Sequence, residues 1–153
     1  MSSSHRIIPA VWVIVKNDDG EYLLLRRQNT GWEDGLYTTP SGHVEMMEPP
    51  SVAGIREVFE ETGLRVLPEG LRHIHTLYCK SSDGSETERV QFFFEASLYS
   101  GNPSNMEPNK CDDINWFDAE KLPQLTSTLR HVLEQIRLGK QYSELYPNMS
   151  DKI

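Results

Sequence analysis

Three glutamates, Glu57, Glu60 and Glu61, share one arc when the stretch GHVEMMEPPSVAGIREVFEETGL, from Gly42 to Leu64, is wound through its middle as a helix. Val52, Ile55, Val58, Phe59 and Thr62 take the opposite arc, so one face is expected to pack while the other collects charge. Ala53 and Gly54 flank the carboxylates with side chains too small to shield them. Glu57 and Glu61 stand at i,i+4, where like charges cost a helix about 0.2 to 0.5 kcal/mol. A purely structural helix gains nothing from that repulsion. A divalent cation among the carboxylates reverses its sign, because magnesium prefers hard oxygen donors.

The same stretch fills the pattern G-x5-E-x7-R-E-U-x-E-E-x-G-U, U being a bulky aliphatic residue, at every position: Gly42, Glu48, Arg56, Glu57, Val58, Glu60, Glu61, Gly63 and Leu64. The chain thereby resembles the Nudix hydrolases. The resemblance implies an α/β fold with a mixed β-sheet sandwiched between α-helices. It implies attack of water on a phosphorus atom of a diphosphate, with metal ions that neutralise the pyrophosphate and lower the pKa of bound water. It places magnesium, with manganese as a possible substitute, on Glu57, Glu60 and Glu61, and the backbone carbonyl of Ser41 beside them. Glu57, Glu60 and Arg56 are the catalytic candidates; the residue matching Glu57 acts as base in some members, and which carboxylate takes the proton is not fixed, because members place the base differently. Arg56 and Glu48 read better as a supporting pair, held by charge-assisted hydrogen bonds.

Outside the box the signals are looser. Several relatives use a further acidic residue from a loop after a late strand; Glu107 is the candidate, with Asp112 and Asp113 as alternatives. Glu45 is either an additional metal oxygen or an exposed loop residue, and His43 lacks a partner at ligand spacing. Arg26 and Arg27 end an expected strand beside a glycine-rich loop, where a guanidinium clamps a phosphate well. Alternation turns only one of them toward the site. Trp32 and Tyr37 are candidates to stack on a base, against a bland reading as local packing.

These side chains must be carried by a scaffold. Residues 7 to 16 and 21 to 27 read as strands joined by a hairpin turn at Asp19-Gly20. QNTGWEDGLYTTPSGH is punctuated by glycine and proline and reads as a loop with a short extended piece at Leu36 to Thr39. Pro49-Pro50-Ser51 opens the box helix and Gly63 closes it. Leu64 to about Tyr78 reads as strand with a turn near Pro68-Glu69-Gly70. RVQFFFEASLY has the composition of a central strand, and Asp113 to Asp118 of a short one. Glu120 to Leu122 is expected as one helical turn. Leu129, Val132, Leu133 and Ile136 then give an amphipathic helix from about Thr126, stopped at Gly139. Residues 1 to 5 and 141 to 153 are expected as flexible tails.

A chain of 153 residues has the usual size of one domain, and a single domain is expected. Its net charge of −8 argues against a stable grip on nucleic acid, which needs a basic surface. Cys79 and Cys111 match no metal or disulfide framework, which fits free thiols in a reducing compartment. The apolar run near the N-terminus is broken by Pro9 and ended by Lys16, too short for a membrane span. A cytoplasmic enzyme without membrane contact is expected, with a homodimer left open.

The leading functional expectation is a metal-dependent pyrophosphohydrolase that cleaves a nucleoside diphosphate linked to another moiety, nucleoside triphosphates included, in a housecleaning role. ADP-ribose-cleaving relatives carry a proline one strand beyond the box, whereas Pro68 lies too close to it. The alternative is a non-catalytic nucleotide-binding or sensor module, which the intact box disfavours. An isoprenoid diphosphate isomerase would need further catalytic residues.

Overall fold

The computed structural model describes residues 4–81 and 85–146. Its centre is β1 (Ile8–Val15), whose residues from Ala10 onward are all buried. Strand alternation divides them: Val11, Val13 and Val15 enter one core and Trp12 the other. β1 pairs antiparallel with β4 (Ser41–His43) and parallel with β7 (Glu88–Ala96). β7 then pairs antiparallel with β6 (Leu71–Lys80), which takes β10 (Tyr142–Leu145) as a parallel edge. The resulting five-stranded sheet has the order β10-β6-β7-β1-β4. A second sheet has β2 (Tyr22–Arg27) between β3 (Tyr37–Thr38) and β9 (Cys111–Phe117). β5 (Arg65–Val66) and β8 (Tyr99–Ser100) form a separate pair.

Two helices cover the large sheet. α1 (Pro50–Thr62) brings Ala53 and Val58 against Val11, Val13 and Phe94 on one face. α2 (Ser127–Arg137) brings Leu129 and Val132 against Trp12, Leu77 and Phe93 on the other. The molecule is therefore an α/β fold with a mixed sheet between helices. Pro50 occupies the first turn of α1, where a missing N–H is not missed. Gly63 ends it at φ 79° with its N–H on the Phe59 carbonyl at 2.9 Å.

Several expectations need correction. The turn at residues 17–21 forms, with Asn17 N–H on the Glu21 carbonyl, but β1 and β2 share only the bridge Lys16–Tyr22 before entering different sheets. β1 already has two neighbours, so β2 pairs with β9 instead. Residues 41–43, expected in a loop, are an edge strand on β1. Residues 142–145, expected in a loose tail, form β10, while 147–153 lie outside the described residues. Glu120 sits in a turn, and no helix forms there. The packing face of α1 is also rotated from the expected arc: Ala53, Gly54, Val58 and Thr62 are buried, Ile55 packs against the core, and Val52 and Phe59 are 49% and 41% exposed. The small residues lie under the helix because backbone approaches sheet there; a Cβ on Gly54 would stand 3.0 Å from Val13 Cγ2.

Cys79 and Cys111 are both free and buried. No helix among the described residues is long and apolar enough to cross a membrane.

Candidate active site

The site forms where α1 crosses the edge strand β4. Gly42 faces the helix, and the space a side chain would need is taken by the Glu57 carboxylate. One residue earlier, Ser41 N–H donates to Glu61 Oε2 at 2.9 Å. The last turn of α1 is tied to the loop before β9: Ser104 N–H donates to the Thr62 carbonyl at 2.9 Å and Met106 N–H to that of Glu61 at 3.3 Å. This docking brings Glu107 near enough for its charge to act on Glu57 and Glu61.

Burial pushes the Glu57 carboxyl up, against the lowering effect of Arg56, and the charges of Glu60 and Glu107 push the same way. Glu61 is raised well above the ordinary carboxylate range, by burial first and then by Glu57. Two adjacent carboxylates therefore hold negative charge at a cost.

Arg56 organises the opposite side. Its Nε and Nη2 make a two-pronged contact with Glu48 at 2.8 and 3.0 Å, and Nη1 reaches Glu57 at 2.9 Å and Glu60 at 3.2 Å. Nη2 also donates to the His43 carbonyl at 3.1 Å, which fastens α1 to β4. Glu45 stands 3.8 Å from Arg56 and is largely exposed.

Among the described residues, no three acidic, histidine or cysteine side chains converge into a ready metal cage. Arg56 draws Glu57 and Glu60 to its own Nη1. The donor chemistry nonetheless fits a hard divalent cation: the available groups are carboxylate oxygens, burial outweighs Arg56 at Glu57, and Glu61 is raised by burial and by the charge of Glu57.

On its other face β4 borders a cavity of about 310 Å³, lined by Ser41, Gly42 and His43 together with Trp12, Arg27, Trp32 and Gln91. Arg27 is held there by bonds from Nε to the Trp32 carbonyl at 2.8 Å and from Nη2 to Thr30 Oγ1 at 2.8 Å, with its guanidinium 4.8 Å from the Trp32 ring centre. Arg26 and Tyr37 do not line the cavity. Arg26 binds Asp112 at 2.7 Å; the Tyr37 hydroxyl binds Asp113, and its ring packs edge-on against Phe117. Those contacts occupy Arg26 and Tyr37, and with them Asp112 and Asp113, the alternatives to Glu107.

Sequence reading missed the far wall of the cavity. Arg89 and Gln91 alternate on one side of β7, and Gln91 Oε1 accepts from Trp12 Nε1 at 2.5 Å while its Nε2 donates to Cys79 Sγ at 3.0 Å. The alternation was present in RVQFFFEASLY, but which side faces the cavity depends on register with β1, where Ala10 pairs Gln91.

The NUDIX domain family model matches residues 6–136. The chain is 31% identical over 129 residues to the uncharacterized Nudix hydrolase YvcI of Bacillus subtilis (strain 168), a match covering 82% of this chain and 77% of YvcI. It is also 31% identical over 120 residues to the NAD-capped RNA hydrolase NudC of Edwardsiella ictaluri (strain 93-146); that match takes in 78% of this chain but only 42% of NudC. The MutT NUDIX hydrolase structure from Burkholderia pseudomallei superposes with a TM-score of 0.76 at 27% identity, covering 86% of this chain and 98% of that one.

Proposed function

The chain belongs to the Nudix hydrolase family, whose reaction is hydrolysis of a diphosphate bond, and on that premise we propose a metal-dependent pyrophosphohydrolase acting on a nucleoside diphosphate linked to a second moiety. The observation that carries this reading is the position of β4, which has the charge-burdened pair Glu57 and Glu61 on one side and the cavity with Arg27 and Trp32 on the other. A diphosphate laid over that strand puts its phosphates at the carboxylates and one attached group in the cavity. NAD-capped RNA, the substrate for which NudC is named, contains a diphosphate of this kind, and the likeness supports the class without choosing the compound.

Glu57, Glu60, Glu61 and Glu107, with the Ser41 backbone, are the groups that would hold magnesium, or manganese in its place. The metal supplies neutralisation of the diphosphate and a more acidic bound water. Arg56 positions Glu57 and Glu60 and keeps Glu48 ionised at its back; the Glu48 carboxyl is held low by that guanidinium. Without metal, Glu57 and Glu61 are raised toward protonation; beside a bound cation their ionised forms are favoured, and from that form one of them can take a proton from an attacking water. Arg27, locked against Trp32, presents positive charge on the cavity side.

Phosphate or nucleotide release from a panel of nucleoside triphosphates, dinucleoside diphosphates and nucleotide sugars, with magnesium and with EDTA, tests the reading. Magnesium-dependent cleavage at a diphosphate bond is expected. Tight nucleotide binding with no turnover across the panel would replace it with a binding module.

A further inference from the structure

The cavity behind β4 carries an unusual charge pattern for a protein of net charge −8: the charged side chains lining it, Arg27, Lys80 and Arg89, are all basic. Arg27 is committed to Trp32 and Thr30, and Lys80 reaches the exposed Glu86 at 3.1 Å. Arg89 is different. No carboxylate among the described residues stands within ion-pair distance of it, and its guanidinium donates from Nη1 to His43 Nε2 at 2.9 Å. A guanidinium is permanently charged and cannot shed its proton to escape, so one spent on a neutral ring nitrogen retains most of its capacity for an anion. Register explains how it comes to face the cavity. Arg89 pairs Ile8 on β1 and Cys79 on β6, two residues along from Gln91, which lies beside Ala10, the partner of His43. The hydroxyls of Ser81, Ser127 and Thr128 line the same cavity and add donors.

Resting on the reading of the cavity as the seat of one substrate half, we infer that Arg89 is a specificity-determining residue that binds a second phosphate, a ribose phosphomonoester carried by the group seated there. A guanidinium free of carboxylates among the described residues, in a cavity also lined by hydroxyls, suits a tetrahedral phosphate, which offers three acceptor oxygens and nearly two charges, better than it suits a neutral nucleoside. The preferred substrates are then diphosphates whose cavity-bound half is itself phosphorylated at the 2′ or 3′ position.

Calorimetric titration, with magnesium present, of adenosine and guanosine 5′-monophosphates against their 2′,5′- and 3′,5′-bisphosphates tests this. These probes contain no diphosphate bond, so the result does not depend on turnover. At least one bisphosphate is expected to bind about tenfold or more tightly than its monophosphate. Arg89→Gln should bring that ratio close to one, and Arg89→Lys should keep much of it. Should the glutamine variant fail to fold, as a lost cooperative thermal transition would reveal, Arg89→Met replaces it in the same comparison. Equal affinity of the members of each pair in the unaltered protein, or an undiminished ratio in the neutral variants, overturns the inference. A preserved ratio difference in a protein that cleaves nothing leaves the subsite standing and removes only the hydrolase reading.

Discussion

A methyl group added at Gly42 would lie 2.1 Å from Glu57 Oε1, so the first glycine of the box exists to make room for a carboxylate. The obstacle is the end of a flexible side chain, and it yields by changing rotamer where a strand backbone would not. Gly42→Ala is accordingly expected to cost little stability, under about 1 kcal/mol, while displacing Glu57 and lowering kcat by about a hundredfold or more. Thermal melting and steady-state kinetics on one preparation check both parts. A fully active alanine variant would show that Glu57 is not needed where it stands.

Glu61 makes the opposite trade. Its carboxyl is raised by burial and by Glu57, so in the pH range between its unfolded and folded pKa the folded protein binds more protons than the unfolded one. Metal-free stability therefore falls as pH rises through that range. Glu61→Gln removes the charge and should raise the metal-free Tm at neutral pH, by about 2 to 4 °C for each kcal/mol relieved. Magnesium should stabilise the unaltered protein by mass action and the variant much less. Scanning calorimetry with EDTA and with magnesium distinguishes these effects. A variant that melts lower without metal, and gains as much from magnesium, would refute the electrostatic account.

The carboxylate arc was legible because spacing along one helix sets which side chains share a face, and the Arg56–Glu48 contact because the box pattern brings the loop end before α1 back to it. Arg27 and Arg26 part company as strand alternation required, yet only the structure shows that Asp112 claims Arg26. Nothing in the spacing announced that the Tyr37 hydroxyl would bond Asp113, 76 residues away on β9. The β1–β2 turn was visible but the separation of its strands into two sheets was not, since pairing with β4, β7 and β9 is decided by distant sequence. The tail was judged by its composition. Its pairing with β6 is reinforced by the buried His75, whose Nδ1 contacts the Lys140 carbonyl at 2.9 Å and whose Nε2 contacts Ser143 Oγ at 2.7 Å.

Arg56 serves helix, loop and strand together. Arg56→Lys keeps the charge but cannot span Glu48, Glu57 and the His43 carbonyl from one planar group. The side chain is 23% exposed and its Glu48 partner 12%, so the loss is moderated by water and expected at about 1 to 3 kcal/mol. Misplaced carboxylates should lower kcat/KM by about 10- to 100-fold. Denaturant unfolding and kinetics measure the two effects; a lysine variant equal to the parent in both would reduce Arg56 to a surface charge.

Packing around α1 gives a prediction that separates the observed helix face from the one expected by periodicity. Phe59 is 41% exposed, with the Arg65 guanidinium 4.6 Å from its ring centre, whereas Leu64 just past the helix is fully buried among Val11, Val58 and Phe94 in one core. Leu64→Ala should cost about 2 to 5 kcal/mol, because the removed atoms leave a cavity that the sheet cannot close. Phe59→Ala, losing a surface cation–π contact and partial burial, should cost about 1 kcal/mol or less. Urea unfolding of the two variants ranks them, and equal costs would mean that Phe59 belongs to the core after all.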